Sequence, residues 1–327
     1  MKTNSGKSIE FLLARGNLPI LYWLKKDILD VPIDREIRNL RKFATRVRIL
    51  ETQKPDGSWW DKRSDTPIQW ERTLYRMDTL RNLFRLYDYG CSLREEGIQK
   101  GLSFLYSLQS KEGDFRGTVI NEHTPTFHAL VLEILCRYGL DKERRVRKGF
   151  RWILGNRQKD GGWANFNCHP AENNDKPGSQ SRNHLRRQPY KPRKSQAFSH
   201  HVTGMVLRAF AESPTWKKSK PARQAGKMLV SSFFHEEVVE GKVLPSDWDR
   251  ICYPFWNTHM LSCLDSLSNL GFTAEDETIQ KGLEWLLKKQ NVHGFWECGN
   301  KKATMEDHLW VTLAVLRVLK RFELLRT

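Results

Sequence analysis

The sequence predicts an all-α fold in which helical hairpins repeat along the chain and pack as two concentric rings. The first observation is a recurring turn in which an aromatic residue closely follows a glycine, as in QKDGGW at Gln158–Trp163. The second is that each turn follows a charged amphipathic stretch and precedes a more apolar one. Hairpins of this kind cannot bury their apolar faces alone, so they stack against their neighbours. No segment shows the alternating pattern of a strand.

The glycine turn occurs five times, and four copies carry an aromatic residue shortly after the glycine. The copy at Gly241 has Val243 in that place. Glycine allows a left-handed turn after a helix, and the ring can pack back over the junction. The steps between successive glycines are 56, 48, 80 and 53 residues, for Gly57, Gly113, Gly161, Gly241 and Gly294.

Each turn joins an outer, more charged helix to an inner, more apolar one, which predicts about five helical hairpins after an N-terminal helix. The N-terminal helix is interrupted by Gly-Asn-Leu-Pro, because proline and glycine break helices. The predicted helices span about residues 8–30, then 35–52 with 70–89, 95–109 with 124–139, 143–157 with 199–212, 221–235 with 252–270, and 276–290 with 305–324.

Composition narrows the class of protein. The chain has 327 residues, of which 39% are hydrophobic, enough for a large core. It has no run of 18 apolar residues and no evident signal peptide, so we expect a cytoplasmic protein, at most peripheral to the inner membrane face. The formal charge of +17 predicts an anionic partner, such as a diphosphate-bearing molecule, an acidic membrane or nucleic acid.

The 80-residue step contains an insertion at residues 164–198 that is rich in Asn, Pro, Lys and Arg. One interpretation is a solvated loop without a specific role. The other is an anion-binding flap beside the start of an inner helix. Its candidate anion-binding residues are Arg182, Arg186, Arg187, Lys191, Arg193 and Lys194.

The glycine–aromatic turn between two helices resembles the QW-type repeat of the squalene–hopene cyclase and protein prenyltransferase superfamily. The resemblance covers about residues 34–325 and implies a single α/α toroid domain over 1–327, with a central apolar cavity. It also implies an enzyme that handles isoprenoids, cyclase-like or prenyltransferase-like. The segments GNLPILYWLKKDILDVP and WDRICYPFW are most similar to uncharacterised bacterial members.

Cyclases of this superfamily use a DxDD motif whose middle aspartate protonates the substrate, and this chain has no such motif. The nearest matches place Arg250 after Asp249, and Glu306–Asp307 at the last inner helix. An arginine beside a carboxylate lowers the pKa of that carboxylate, which opposes its use as a strong acid. The candidate catalytic residues are nevertheless Asp249, Glu306 and Asp307. On an α/α barrel, carboxylate pairs such as these also suit a glycosidase.

Zinc prenyltransferases place an Asp-x-Cys motif before an aromatic cluster, and a histidine on a later helix. The segment from Cys252 to Trp256 resembles the cysteine half, and His308 occupies the matching place of the histidine. The resemblance implies a possible zinc site formed by Asp249, Cys252 and His308, although Asp249 stands one residue too early. A lone cysteine that opens an apolar helix is more often a core residue, so zinc is a possible cofactor and not the favoured one.

Aromatic and histidine side chains on the inner helices are candidates for a substrate-binding lining. Aromatic rings stabilise isoprenoid carbocations by cation–π attraction, and the same rings also serve to fill a core. The candidates are Phe127, His201, Trp256, His259 and Trp310. The alternative to an isoprenoid enzyme is a non-catalytic helical-repeat protein that binds an acidic membrane surface or nucleic acid through its basic outer helices.

Overall fold

The computed structural model describes residues 5–59, 68–115, 124–164, 194–239, 242–244 and 246–325. Within them the chain forms thirteen helices and one short antiparallel β-hairpin. In chain order these are α1 (Ser5–Arg15), α2 (Leu18–Trp23, continued by a π-helical turn Leu24–Ile28), α3 (Asp34–Leu40), α4 (Ala44–Glu51), α5 (Ile68–Asp88), α6 (Glu96–Ser107), α7 (Pro125–Arg137), α8 (Arg144–Gly155), α9 (His200–Ala211), α10 (Lys220–Ser231), β1 (Glu237–Val239), β2 (Lys242–Leu244), α11 (Met260–Asn269), α12 (Glu277–Lys288) and α13 (Met305–Arg321).

The helices form an inner and an outer ring, as predicted. Helices α5, α7, α9, α11 and α13 contact one another in succession, and α2 with its π-helical turn lies between α13 and α5. Helices α1, α4, α6, α8, α10 and α12 pack outside them. The inner helices α7 and α9 are almost wholly buried, whereas the outer helices α8 and α12 bury a single apolar stripe. The all-α toroid class is therefore confirmed.

The ring is closed by the N-terminal residues, which form a sixth hairpin. Helix α1 takes the place of an outer helix after the last glycine turn, where the Ser8 hydroxyl donates to the carbonyl of Gly294. The side chain of Gln290 donates to Ser8 Oγ at 2.9 Å. On the inner side, Arg317 of α13 pairs with Asp27 at 2.7 Å. The prediction of five hairpins plus a helix was incomplete, since α1 and α2 are themselves a hairpin.

Each described glycine turn ties its own hairpin to the next outer helix. Gly57 has a φ of +87°, and a Cβ atom there would lie 2.3 Å from the carbonyl oxygen of Lys100 in α6. The side chain of Gln53 donates to the carbonyls of Gly57 and Gly97 at 2.9 and 2.8 Å. Only glycine tolerates both this backbone conformation and this approach. The same contacts recur at Gly113 and Gly294.

The aromatic residue of the turn locks the outer helix to the inner one. The ring N–H groups of Trp59, Trp163 and Trp296 donate to carbonyls ten residues earlier, at 2.6–2.8 Å. The three rings are at most 1% exposed. Burial of a large side chain of this kind stabilises the fold by about 1.5–3 kcal/mol. The sequence repeat therefore encodes a repeated junction between the two rings.

Three predicted elements differ from the structure. The helix expected at 35–52 is divided into α3 and α4. Gly241 lies outside the described residues, and the segments on either side of it pair as β1 and β2. The helix expected at 252–270 begins only at Met260, because the side chains of His259 and Ser262 form a capping box there.

No helix in the described part of the chain combines the length and the apolarity needed to cross a bilayer.

Candidate functional site

The segment before α11 enters the middle of the ring and fills much of it. It carries Tyr253, whose ring stacks on Trp310 at 5.5 Å between centroids, and Trp256, whose ring meets the edge of Phe84 at 5.6 Å. Its Tyr253–Pro254 bond is cis. Cys252 and Trp256 therefore lie on an irregular segment and not on an inner helix, because Pro254 lacks the N–H that a helix requires at this point.

A polar chamber of about 150 Å³ lies at the C-terminal ends of the inner helices, on the side of the ring opposite the glycine turns. Its polar lining comes from the last turns of five inner helices and from the π-helical turn. Its apolar lining comes mainly from aromatic rings. The lining residues are Trp23, Asp27, Tyr87, Asp88, Arg137, Glu212, Tyr253, Phe255, Asp265, Asn269, Ala314, Arg317 and Arg321.

The three guanidinium groups of the chamber are each paired with a carboxylate. Arg137 lies 3.4 Å from Glu212, Arg317 lies 2.7 Å from Asp27, and Arg321 pairs with Asp265. These pairings hold the long side chains in place and leave a lining with nearly balanced charge. A lining with both donors and acceptors suits a hydroxylated or otherwise polar ligand better than a hydrocarbon.

Asp88, the last residue of α5, is the most buried carboxyl of the chamber, at 5% exposure. The hydroxyl of Tyr253 donates to its Oδ1 at 2.8 Å. Burial raises the pKa of Asp88, and the nearby Arg137 and the Tyr253 hydrogen bond only partly oppose that rise. A carboxyl whose pKa is raised in a chamber of this kind is suited to donate or accept a proton.

Glu212 and the tyrosines of the chamber are perturbed in the same direction. Loss of solvation raises the pKa of Glu212, against the attraction of Arg137, although its side chain remains 29% exposed. Burial raises the pKa of Tyr87 to about 12. Burial also raises the pKa of Tyr253, so the hydroxyls of Tyr87 and Tyr253 keep their protons at neutral pH and serve as hydrogen-bond donors.

A buried group of three charges lies next to the chamber. Glu133 of α7, at 1% exposure, accepts from Arg137 at 2.9 Å and from Nε of Arg208 at 3.0 Å. Arg208 is 3% exposed, and among the described residues its Nη1 and Nη2 atoms have no hydrogen-bond partner. A void of about 10 Å³, the volume of about one water molecule, lies between Glu133, Arg137 and the Tyr253–Trp256 segment.

The predicted catalytic carboxylates do not face the chamber. Asp249 is exposed in the loop after β2. Glu306 is exposed and accepts from the side chain of Asn17 at 3.0 Å. Asp307 accepts from the backbone and hydroxyl of Thr304 at 2.7 and 2.8 Å, and so caps α13. Glu306 and Asp307 thus each have a structural partner at this helix end.

The structure does not assemble the predicted zinc ligands. Cys252 Sγ lies 3.3 Å from Nε2 of His259, whereas His308 accepts from the backbone of Cys298 at 2.9 Å. The described part of the chain contains no group of three His, Cys, Asp or Glu residues arranged to hold a metal ion. Burial raises the pKa of Cys252 to about 11 and lowers that of His259 to about 3, so the pair is a thiol beside a neutral imidazole.

The predicted substrate-binding side chains are divided between core and surface. Trp310 is buried at 8% exposure against Tyr253, and His259 is buried as the cap of α11. His201 is half-buried, and burial lowers its pKa. Trp256 and Phe127 are half-buried. Of the predicted anion-binding residues, Arg182, Arg186, Arg187, Lys191 and Arg193 lie outside the described residues, and Lys194 is exposed.

Asp88, Glu212, Arg137, Arg317 and Arg321 were missed by the sequence reasoning. The amino-acid sequence nevertheless carries a usable signal for them. Charged residues end inner helices that are otherwise mostly apolar, as Arg137 ends PTFHALVLEILCR of α7. The inner helices all end at the same side of the ring, so these charges meet at one place.

The family model of the squalene-hopene cyclase C-terminal domain matches residues 128–314, which is more than half of the chain. The protein belongs to this family, and the resemblance found in the glycine turns is confirmed. No curated protein matches the chain.

Three solved structures are similar to this chain at low sequence identity. A polysaccharide lyase is 9% identical over 99% of this chain and 100% of its own, with a TM-score of 0.53. A protein from Actinoplanes is 15% identical over 98% of both chains, with a TM-score of 0.47. The type II terpene cyclase MstE from Scytonema is 13% identical over 88% of this chain and 98% of its own, with a TM-score of 0.31. The similarity to the polysaccharide lyase shows a similar fold and nothing about activity.

Proposed function

We propose that this protein is an acid–base enzyme whose active site is the polar chamber, with Asp88 as the proton donor. The observation that carries the proposal is the burial of Asp88 beside Tyr253, with a raised pKa, at the wall of a chamber that a ligand can enter. General acids work best when their pKa lies near the working pH, and burial is the usual way to bring a carboxyl there.

The size and polarity of the chamber limit its substrate. Pockets that enclose drug-sized ligands measure about 300–1,000 Å³, about two to seven times the volume of this chamber. The chamber therefore holds a small hydroxylated molecule, or the hydroxyl or diphosphate end of a longer one such as an isoprenoid. Arg317 and Arg321 offer N–H donors to such a group, and Asp27 and Asp265 accept from hydroxyls.

An isoprenoid-handling function at the other side of the Tyr253–Trp256 segment is the second candidate. It is supported by the half-buried rings of Trp256 and Phe127 and by membership of the family. Arg81 already lies 6.0 Å from the Trp256 ring, so this face attracts cations. The carboxylate nearest this face in the small void is Glu133, which is paired with two arginines. This face is thus suited to bind a hydrocarbon rather than to protonate it.

Calorimetric titration with four probes separates the two candidates. The probes are glucose, inorganic diphosphate, farnesol and farnesyl diphosphate, added to wild-type protein, Arg317→Gln and Trp256→Ala. The chamber proposal expects glucose or diphosphate to bind, with a loss of tenfold or more in Arg317→Gln and no change in Trp256→Ala. Farnesol binding that is lost only in Trp256→Ala supports the second candidate. Failure of both polar probes to bind, or equal binding by Arg317→Gln, contradicts the chamber proposal.

A further inference from the structure

The positive charge of the described chain is concentrated on two neighbouring outer helices. Helix α8 carries five Arg or Lys residues and α10 carries three, and neither helix contains Asp or Glu. The outer helices α6 and α12 instead balance acidic with basic residues. The net charge of +17 is therefore not spread evenly over the outer ring.

The basic side chains of α8 lie along one exposed stripe. Arg144, Arg147 and Arg151 are spaced by three and four residues, which places them on one face of the helix. All three are exposed, and within the described residues none of them forms an ion pair. Three unpaired guanidinium groups therefore project to solvent from about two helical turns.

Helix α10 extends the stripe of α8 sideways. The two helices meet where Arg157, just after α8, donates to Gln224 of α10 at 3.1 Å. The exposed basic residues of α10 are Lys220, Arg223 and Lys227, and the guanidinium of Arg223 packs over the Phe272 ring at 4.3 Å. The surface formed by Arg144, Arg147, Arg151, Lys220 and Lys227 is called the basic face below.

The carboxylates near the basic face are used within the fold. Asp141 accepts from the hydroxyl and backbone of Thr215. Asp160 accepts from the backbone of Gly162 and Phe198 at 3.1 and 2.8 Å. Glu143 precedes α8 and is exposed. The basic face is thus flanked by few free negative charges.

We propose that the basic face binds the phosphate backbone of nucleic acid without reading its sequence. Arginine presents a planar fork that fits phosphate oxygens, and three of the five side chains are arginine. Surfaces that bind membranes usually add exposed large apolar side chains that enter the lipid. The exposed large apolar residues of the described chain all lie outside α8 and α10, the nearest in sequence being Leu93 and Phe234. This contrast favours nucleic acid over a lipid surface.

The proposal is tested by fluorescence anisotropy with a short labelled DNA duplex of mixed sequence. The variant Arg144→Glu/Arg147→Glu/Arg151→Glu is compared with Arg38→Glu/Lys42→Glu/Arg48→Glu, which changes net charge equally at exposed sites of α3, α4 and the turn between them, across the ring from the basic face. We expect the α8 variant to bind the duplex at least about tenfold more weakly than wild-type protein does. The slope of the log binding constant against log salt concentration should become shallower by about 3, because each lost phosphate contact removes about 0.9 from that slope. The control variant should keep most of the binding.

Three outcomes overturn the proposal. One is equal weakening by both variants, which would indicate only net charge. The second is no binding of the duplex by wild-type protein at low salt. The third is binding of vesicles of phosphatidylserine and phosphatidylcholine without binding of the duplex, which would assign the basic face to membranes. Thermal unfolding of both variants controls for folding, and the exposure of all six positions predicts little change there.

Discussion

The hydroxyl of Tyr253 donates to Oδ1 of Asp88 at 2.8 Å, across 165 residues of chain. The backbone carbonyl of the same Asp88 accepts from the indole of Trp23 at 2.6 Å. One residue at the end of α5 thus joins the N-terminal hairpin to the segment that precedes α11. The acid of the chamber is held by distant parts of the ring, so its geometry depends on the whole fold.

Substitution Asp88→Asn should remove a pH-dependent loss of stability. The folded pKa of Asp88 lies above the value of 3.8 for an unperturbed carboxyl, so the folded state holds its proton more tightly than the unfolded state does. The free energy of unfolding therefore falls as pH rises from about 4 through the folded pKa. The variant keeps an acceptor for Tyr253 and should gain stability over wild type in that range. Urea unfolding at several pH values measures the difference in free energy of unfolding between the variant and wild type, and the exposed Asp249→Asn serves as the control. If the free energies of unfolding of Asp88→Asn and wild type differ by the same amount at every pH, the raised pKa of Asp88 is contradicted.

Substitution His259→Asn should make the free energy of unfolding depend less on pH in the acid range. Burial lowers the folded pKa of His259 from 6.5 to about 3, so only the unfolded state takes up a proton in this interval. Stability from the neutral imidazole is fully present above pH 6.5 and is lost as pH falls towards 3, by a few kcal/mol at about 1.4 kcal/mol per pKa unit.

Asparagine can still cap α11, so the His259→Asn variant isolates the titration from the loss of the cap. The exposed His235→Asn serves as the comparison. Parallel curves for wild type and His259→Asn in urea unfolding below pH 6.5 would show that the imidazole is not neutral in the fold.

Alanine substitutions at two glycines with positive φ distinguish the cost of backbone strain from the cost of a steric clash. At Gly139, with φ of +77°, an added Cβ meets no atom within 4 Å, whereas at Gly57 it would lie 2.3 Å from Lys100 O. Gly139→Ala should cost about 1–2 kcal/mol, the penalty for a left-handed conformation. Gly57→Ala should cost more, because α6 must also move. Equal costs in chemical unfolding would mean that the turn does not pack tightly on α6.

The aromatic position of the turn should tolerate phenylalanine better than alanine. Phe115 already occupies this position in the second described turn, whereas Trp163 also donates to the carbonyl of Ile153 at 2.8 Å. Trp163→Phe should cost about 1–3 kcal/mol for a lost buried hydrogen bond, and Trp163→Ala about 3–5 kcal/mol. The half-buried Trp285→Phe should cost less than either. Thermal and urea unfolding rank the three, and a larger cost for Trp285→Phe would contradict the role of the junction.

The fold was largely predictable because the repeat encodes local geometry. The spacing of the glycines and the apolar periodicity placed α12 and α13 within a few residues of their observed bounds. Each glycine turn depends on contacts within its own hairpin and the next outer helix, so it leaves a pattern in sequence. The segment at 252–259 breaks the pattern, because it is shaped by contacts in the ring centre rather than by periodicity.

The site was much less predictable than the fold. The sequence motifs favoured the N-terminal ends of the inner helices, where Glu306 accepts from Asn17 and Asp307 caps α13. The chamber lies at the opposite ends, where residues from five helices and the π-helical turn converge. No short motif connects Asp88 with Arg317, since only the closure of the ring brings them to one cavity.

Closure of the ring also constrains how the protein is made. Helix α1 and the π-helical turn complete their contacts only on the last hairpin, through Ser8 with Gly294 of its glycine turn and Asp27 with Arg317 of α13. During synthesis the first hairpin therefore emerges from the ribosome long before its permanent neighbour exists. Until α13 is translated, the apolar faces at both ends of the growing ring remain open, and the nascent chain is most vulnerable to chaperone capture or aggregation in this interval.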